Sequence, residues 1–184
     1  MKATDELKAE HEGIGVMLRV LEAVAERLGE GEAVDGGDLE GMLEFLTVFV
    51  DRCHHGKEED FLFPALEQAG VARENGPIGV MLVEHEEGRR LVARLREAFA
   101  GLGPGNAAGA ESARRLLEAY VTLLFGHMAK ENEVLFVMAD ARLDSDRDGE
   151  LVAAFEKLER ERIGAGRHEA FHALLGRLEE EYLF

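Results

Sequence analysis

Six residues stand at spacings that suit the ligation of two metal ions: His11, His54, Glu58, His85, His127 and Glu131. Glu58 follows His54 by four residues, and Glu131 follows His127 by four. On a helix each such pair shares one face, with Cβ atoms about 5–6 Å apart. The imidazole can then hold one ion while the carboxylate reaches toward a second. His11 and His85 each add a nitrogen donor. Four nitrogens and two carboxylates are too many for one tetrahedral ion. They suit two five- or six-coordinate ions with positions left for a small ligand. Mixed imidazole and carboxylate donors favour iron, with manganese or zinc as alternatives. A lone histidine on an apolar seam is more simply a hydrogen-bonded core residue, and unpaired burial of its charge costs several kcal/mol. Six residues at matched spacings are hard to obtain that way.

The spacings are matched because the chain repeats itself. Glu10-His11-Glu12 in the first half answers to Glu84-His85-Glu86 in the second. His54-x-x-x-Glu58 leads to Leu62-Phe63, and His127-x-x-x-Glu131 leads to Leu135-Phe136. The lone histidine precedes its His-x-x-x-Glu pair by 43 residues in one half and 42 in the other. This is the pattern of a duplicated helix pair about a pseudo-two-fold axis, with ligands drawn from both halves.

The elements that must position these residues read as helices. The first spans about 4–28, with a seam at Leu7, His11, Ile14, Leu18, Leu21, Ala25 and Leu28 in alternating steps of four and three. Asp38 is a candidate N-cap for a second helix over about 39–69. A third helix over about 78–102 carries His85, Gly88 and Val92 on its seam. A fourth, over about 107–141, keeps Tyr120, Leu124, His127, Glu131, Val134 and Met138 in register. Shorter helices follow at about 147–163 and 167–183. The expected fold is all-α: an antiparallel four-helix bundle over residues 1–141, with a helical extension over 142–184 packed on the same domain.

The segments CHHGKEEDFLFPAL, EHEEGR and GHMAKENEVLF, with the order His, His-x-x-x-Glu, His, His-x-x-x-Glu, resemble the hemerythrin-like HHE cation-binding proteins. The resemblance covers about residues 4–141. It implies a pair of iron ions, oxo- or hydroxo-bridged, held by His11, His54, Glu58, His85, His127 and Glu131. Oxygen carriers of that family place a further histidine one turn after the third-helix ligand; here that residue is Arg89. Their fourth helix has its carboxylate five residues after the histidine, where this chain has Glu131 four after His127. The set therefore resembles the bacterial branch tied to nitric-oxide and oxidative stress, iron–sulfur repair proteins included. Ferritin-like sites, with Glu-x-x-His pairs and more carboxylates, fit less well.

Other residues invite chemistry. His55 and Glu59 form a rival pair one residue out of step. Alignment of the halves favours His54 and Glu58, and leaves His55 behind the ligands or partly exposed. His168 and His172, four apart on the last helix, read first as a surface pair, with His168 the better placed to add a ligand. Asp144, Asp146, Asp148 and Gly149 resemble the start of a calcium loop, but Phe155 stands where the closing glutamate belongs. A capping turn explains them better. Tyr120 either packs the core or hydrogen-bonds a metal-bound species. Cys53 reads as a small buried hydrophobe. Gly88 costs about 1 kcal/mol relative to alanine inside a helix, so it marks either a close helix contact or a gap beside the metals.

A formal charge of −17 argues against nucleic acid and against anionic membranes. No run approaches the roughly 20 apolar residues that span a bilayer, and the opening MKATDELKAEHE lacks a signal-peptide core. One cysteine makes an internal disulfide impossible, and a cytoplasmic location is expected. Function is expected to centre on a small diatomic or peroxide ligand: a di-iron protein that binds or reacts with dioxygen, nitric oxide or peroxide. Iron storage, delivery or iron–sulfur cluster repair is the alternative. Catalysis and binding without turnover would use the same six residues.

Overall fold

The computed structural model describes residues 1–164 and 166–184. Among them every regular element is a helix. We number six continuous runs. Helix α1 is Lys2–Gly29. Helix α2 covers 36–68, with π-helical stretches at Phe45–His55 and Glu58–Leu62. Helix α3 is Pro77–Ala100. Helix α4 covers 107–142, with a π turn at Glu131–Leu135. Helix α5 covers 145–163 and ends in a π turn, Glu159–Ile163. Helix α6 is Arg167–Leu183.

Local chemistry explains the ends. Asp35, not Asp38, caps α2, accepting from the backbone N–H groups of Gly37 and Asp38. Asp38 acts elsewhere. Its buried carboxylate accepts from Arg177 at 2.6 Å and from the Tyr182 hydroxyl at 2.7 Å, which ties α6 to the start of α2. Asn106 caps α4 and Asp144 caps α5 through their side chains. The acidic run at Asp144 thus serves helix ends. Asp148 continues the theme by accepting from the Lys2 and Ala3 amides at 3.0 and 2.9 Å, where α1 leaves its first N–H groups unpaired.

Helix α4 packs along both α1 and α3, α2 lies against α1 and α3, and α5 and α6 pack mainly on α1 and α2. Two apolar clusters result. One gathers Ile14, Leu18, Phe45, Phe49, Leu117, Tyr120 and Leu124. The other gathers Leu7, Leu62, Phe63, Ile78, Met81, Leu135, Phe136 and Phe155. Each fully buried leucine or phenylalanine contributes about 1.5–3 kcal/mol. Stability of this size is needed, since the sequence places a layer of histidines and glutamates between the clusters: His11 falls between Leu7 and Ile14, and Glu58 between Val50 and Leu62.

The fourth seam departs from expectation at one place. Val134 is exposed, and Leu135, Phe136 and Ala139 are buried instead. The cause is the π turn at Glu131–Leu135, whose i→i+5 bond from the Phe136 N–H to the Glu131 carbonyl advances the inward face by one residue. Helix α2 does the same at the matching point, where the Phe63 N–H bonds the Glu58 carbonyl.

Candidate metal centre

In the polar layer the structure brings all six expected residues together, and all six are buried. His11 from α1 and His54 from α2 face each other with their Nε2 atoms 3.0 Å apart. His85 from α3 and His127 from α4 do the same at 3.1 Å. The two carboxylates lie between these pairs. Glu131 sets Oε2 at 3.2 Å from His11 Nε2 and Oε1 at 3.1 Å from His127 Nε2. Glu58 sets Oε1 at 3.7 Å from His54 Nε2 and Oε2 at 3.4 Å from His85 Nε2. Each carboxylate therefore offers one oxygen to each histidine pair. Two overlapping donor sets result, His11, His54, Glu58 and Glu131 on one side and His85, His127, Glu58 and Glu131 on the other. Within each set the donor atoms lie within 4.8 Å of one another.

Among the described residues, none of the four carboxylate oxygens of Glu58 and Glu131 has a hydrogen-bond partner, although all are buried. Burying an ionised group unpaired is among the costliest choices a fold can make. A pair of cations, one in each donor set, removes that cost, so the residues fit two metal ions.

The outer nitrogen of every ring is anchored. His54 Nδ1–H donates to Glu10 at 2.7 Å, and His127 Nδ1–H donates to Glu84 at 3.0 Å. His85 Nδ1–H donates to Glu59 at 2.7 Å, and His11 Nδ1–H to the Asn132 side-chain oxygen at 3.0 Å. These oxygens only accept, so Nδ1 carries a proton, and a cation that displaces any proton on Nε2 would meet an inward lone pair, the tautomer a metal ligand needs. The repeat thus extends beyond the ligands: Glu10 answers to Glu84, and Glu59 to Asn132. The tripeptides Glu10-His11-Glu12 and Glu84-His85-Glu86 were legible as a repeat. The role of their first residue was not, because the glutamate serves a histidine on the other helix of its half.

The carboxylates of the centre favour positive charge on the imidazoles beside them. Burial opposes protonation of His85, but its contacts with Glu58 and Glu59 outweigh that and raise its pKa to about 9. His54 is raised in the same way, burial being overcome by Glu58 and Glu10. Burial would push Glu10 up, yet His54 and Lys57 hold it near 2. Glu131 is likewise held well below the usual carboxylate range, burial notwithstanding, by His127 and His11.

Lys57 is fully buried and donates to Glu6, Glu10 and Glu159 at 2.6, 2.5 and 2.6 Å. Glu159 comes from α5, so the C-terminal helices reach the layer behind the ligands. Lys130, its counterpart on α4, pairs with Glu84 and is 45% exposed.

The remaining candidates fall as follows. Glu59 stands behind His85, clamped by Arg89 at 2.6 Å, and Arg89 also holds Asp51 at 2.8 Å. His55, expected at the rim or behind the ligands, is 4% exposed, and its ring lies flat on His85 with centroids 3.8 Å apart. The π-helical stretch ending at His55 explains why two consecutive histidines both turn inward. Tyr120 packs in the core, and with His55 and Gly88 it lines a cavity of about 200 Å³ between α2 and α3. A Cβ on Gly88 would meet Leu124 and Tyr120 at an ordinary 3.9 Å, so close packing does not require the glycine. His168 stacks on Phe49 and groups with Glu10 and Glu159, behind His54 and outside the two donor sets. His172 packs edge-on against His168. Burial pushes the Cys53 thiol up to about 12, which leaves it protonated and unreactive.

The hemerythrin HHE cation binding domain family matches residues 2–139, and the chain belongs to that family. An uncharacterized protein of Mycobacterium tuberculosis is 26% identical over 165 residues, 88% of this chain and 63% of the relative. An iron-sulfur cluster repair protein, YtfE, of Salmonella schwarzengrund is 30% identical over 103 residues, 54% of this chain and 47% of the relative. The iron-sulfur cluster repair protein DnrN of Neisseria gonorrhoeae is 40% identical over 86 residues, 45% of this chain and 54% of the relative. The chain therefore spans at most 63% of the length of these relatives. No solved structure matches.

Proposed function

We propose that the chain holds two iron ions, one between His11 and His54 and one between His85 and His127, with Glu58 and Glu131 shared by both. We propose further that it donates iron in iron–sulfur cluster repair under oxidative or nitrosative stress. The observation that carries the two-ion site is the pair of buried carboxylates, each presenting one unpartnered oxygen to each histidine pair. Mixed imidazole and carboxylate donors suit iron. The repair role is supported by the names of the Salmonella and Neisseria relatives, which match 54% and 45% of this chain. In this reading the four long helices form an antiparallel bundle over 1–141 and residues 142–184 pack on it, supported by the packing of α5 and α6 on α1 and α2. A cytoplasmic place fits the absence, among the described residues, of any helix long and apolar enough to cross a membrane. The test is transfer: iron-loaded protein should restore activity to a dehydratase whose iron–sulfur cluster has lost an iron, faster than free ferrous iron at equal concentration. Equal rates would overturn the donor role.

A second reading has a specific observation behind it. The cavity lined by His55, Gly88 and Tyr120 lies between α2 and α3, separated from the centre by the His55 ring that stacks on His85, and is of a size for a small ligand such as dioxygen, nitric oxide or peroxide. Iron, when bound, would supply the redox and Lewis-acid chemistry such molecules need. The protein's part would be to keep the buried ligands between two apolar clusters. Consumption of nitric oxide or peroxide by the iron-loaded protein at rates well above free iron would favour this reading over donation.

A further inference from the structure

Among the described residues, the buried side-chain atoms without a hydrogen-bond partner form a short set: both oxygens of Glu58, both oxygens of Glu131, both ring nitrogens of His55, and His168 Nε2. The first four define the metal centre. His55 carries the same signature a few ångströms away, and the centre as described does not use it. Its ring lies closest to the His85/His127 side, 3.8 Å from that of His85 and 5.5 Å from that of His127, with that of His54 at 5.7 Å. One donor atom from each of the three histidines His55, His85 and His127 lies within 4.8 Å of the other two, the same closeness that holds within each main donor set.

Unlike the Nδ1 of the four ligands, neither ring nitrogen of His55 makes a hydrogen bond among the described residues. Each ligand histidine turns Nδ1 outward to an oxygen and Nε2 inward. His55 Nδ1 faces the Asp51 carboxylate at 3.6 Å, one helical turn back on α2. Asp51 is in turn fixed by Arg89, whose guanidinium also holds Glu59 behind His85. Arg89 thus holds both the carboxylate bonded to His85 and the one nearest His55, while neither nitrogen of His55 has a hydrogen-bond partner among the described residues. A small closure of the 3.6 Å gap to Asp51 would give His55 the carboxylate–imidazole–metal order in which ligating histidines are usually held.

We infer that His55 is a third imidazole ligand to the ion held by His85 and His127. This rests on the two-ion reading above. The two sites then differ: three nitrogens on the His85/His127 side and two on the His11/His54 side, with the same two carboxylates. Met128 stands at the position of the second half that matches His55, so the duplication supplies no third nitrogen to the other ion. Coordination requires the His55 ring to turn out of its 15° stack on His85, and the adjoining cavity gives it room.

The test is an anaerobic titration of metal-free protein with ferrous iron against a competing chelator, comparing the wild type with His55→Leu and His55→Gln. Loss of an outer hydrogen-bond partner typically costs about 10–100-fold in metal affinity, and loss of a ligand should cost no less. Both variants should bind one ion as the wild type does and the other at least tenfold more weakly. Two tight ions in both variants would overturn the inference. So would rescue by glutamine alone, since that marks a hydrogen-bonding role. Fewer than two ions in the wild type would defeat the two-ion reading itself, an outcome distinguishable from failure of the His55 claim. A crystal structure of iron-loaded wild-type protein decides the point even if a variant fails to fold: His55 Nε2 at bonding distance is expected, and a ring still stacked on His85 with no bond refutes it.

Discussion

The two halves of the centre share their chemistry and differ in their surroundings. Each half supplies a lone histidine, a His-x-x-x-Glu pair and a glutamate that anchors a ring from behind, and each opens a π turn at its shared carboxylate. Around the first half, α5 and α6 cover α1 and α2, and Lys57 is buried among three glutamates. Around the second, Lys130 is half exposed, and Val80, Val83, Phe125, Val134 and Val137 on α3 and α4 face outward. Ligand geometry is held in common because it must be matched across the axis. The outer layers carry no such constraint, and one has become part of the core while the other remains surface.

The largest expected difference between the halves is in stability. Lys57→Met leaves Glu10 buried without its cation and should destabilise the protein by about 3 kcal/mol, since breaking a buried ion pair from one side costs about 3–5 kcal/mol. Lys130→Met should cost less than about 1 kcal/mol, as exposed pairs do. Chemical denaturation of metal-free protein measures both, and equal losses would show that the C-terminal helices do not make the difference.

Metal affinity should separate the halves less. Glu10→Ala and Glu84→Ala each remove the oxygen behind one ligand histidine, and each should weaken the ion on its own side by about 10–100-fold. The Glu10 variant should lie at the upper end, because Glu10 is 6% exposed and Glu84 is 17% exposed. Competition titration with ferrous iron would show this, and a larger loss for Glu84→Ala would reverse the ranking.

The smallest effect concerns Gly88. With ordinary 3.9 Å contacts waiting for its Cβ, Gly88→Ala should stabilise the fold by about 0.5–1 kcal/mol through helix propensity. A rise in midpoint temperature with unchanged metal loading is expected. Destabilisation would restore the view that the glycine permits close helix packing.

Much of this was legible in the amino-acid order. The six clustered residues followed from spacing, because a helix converts intervals of three and four into one face. The helical segments followed from the same period. What escaped depended on departures from that period or on partners distant in sequence. The π turns moved the inward face from Val134 to Leu135, and a longer π stretch turned His55 inward beside His54. Asp35 took the cap expected of Asp38, which instead receives Arg177 and Tyr182 from the far end of the chain. The buried cluster on Lys57 joins three helices, and nothing local in GKEED announces it.

The central claim is that two shared carboxylates join two histidine pairs into one dinuclear site. Ferrous iron titrated anaerobically into metal-free wild-type protein, Glu58→Ala and Glu131→Ala, with bound metal counted per chain, tests it most directly. The account predicts saturation at two ions in the wild type. Each variant should lose affinity for both ions, because each carboxylate serves both pairs. Wild-type saturation at one ion, or a variant that weakens only the ion of its own half, would contradict it.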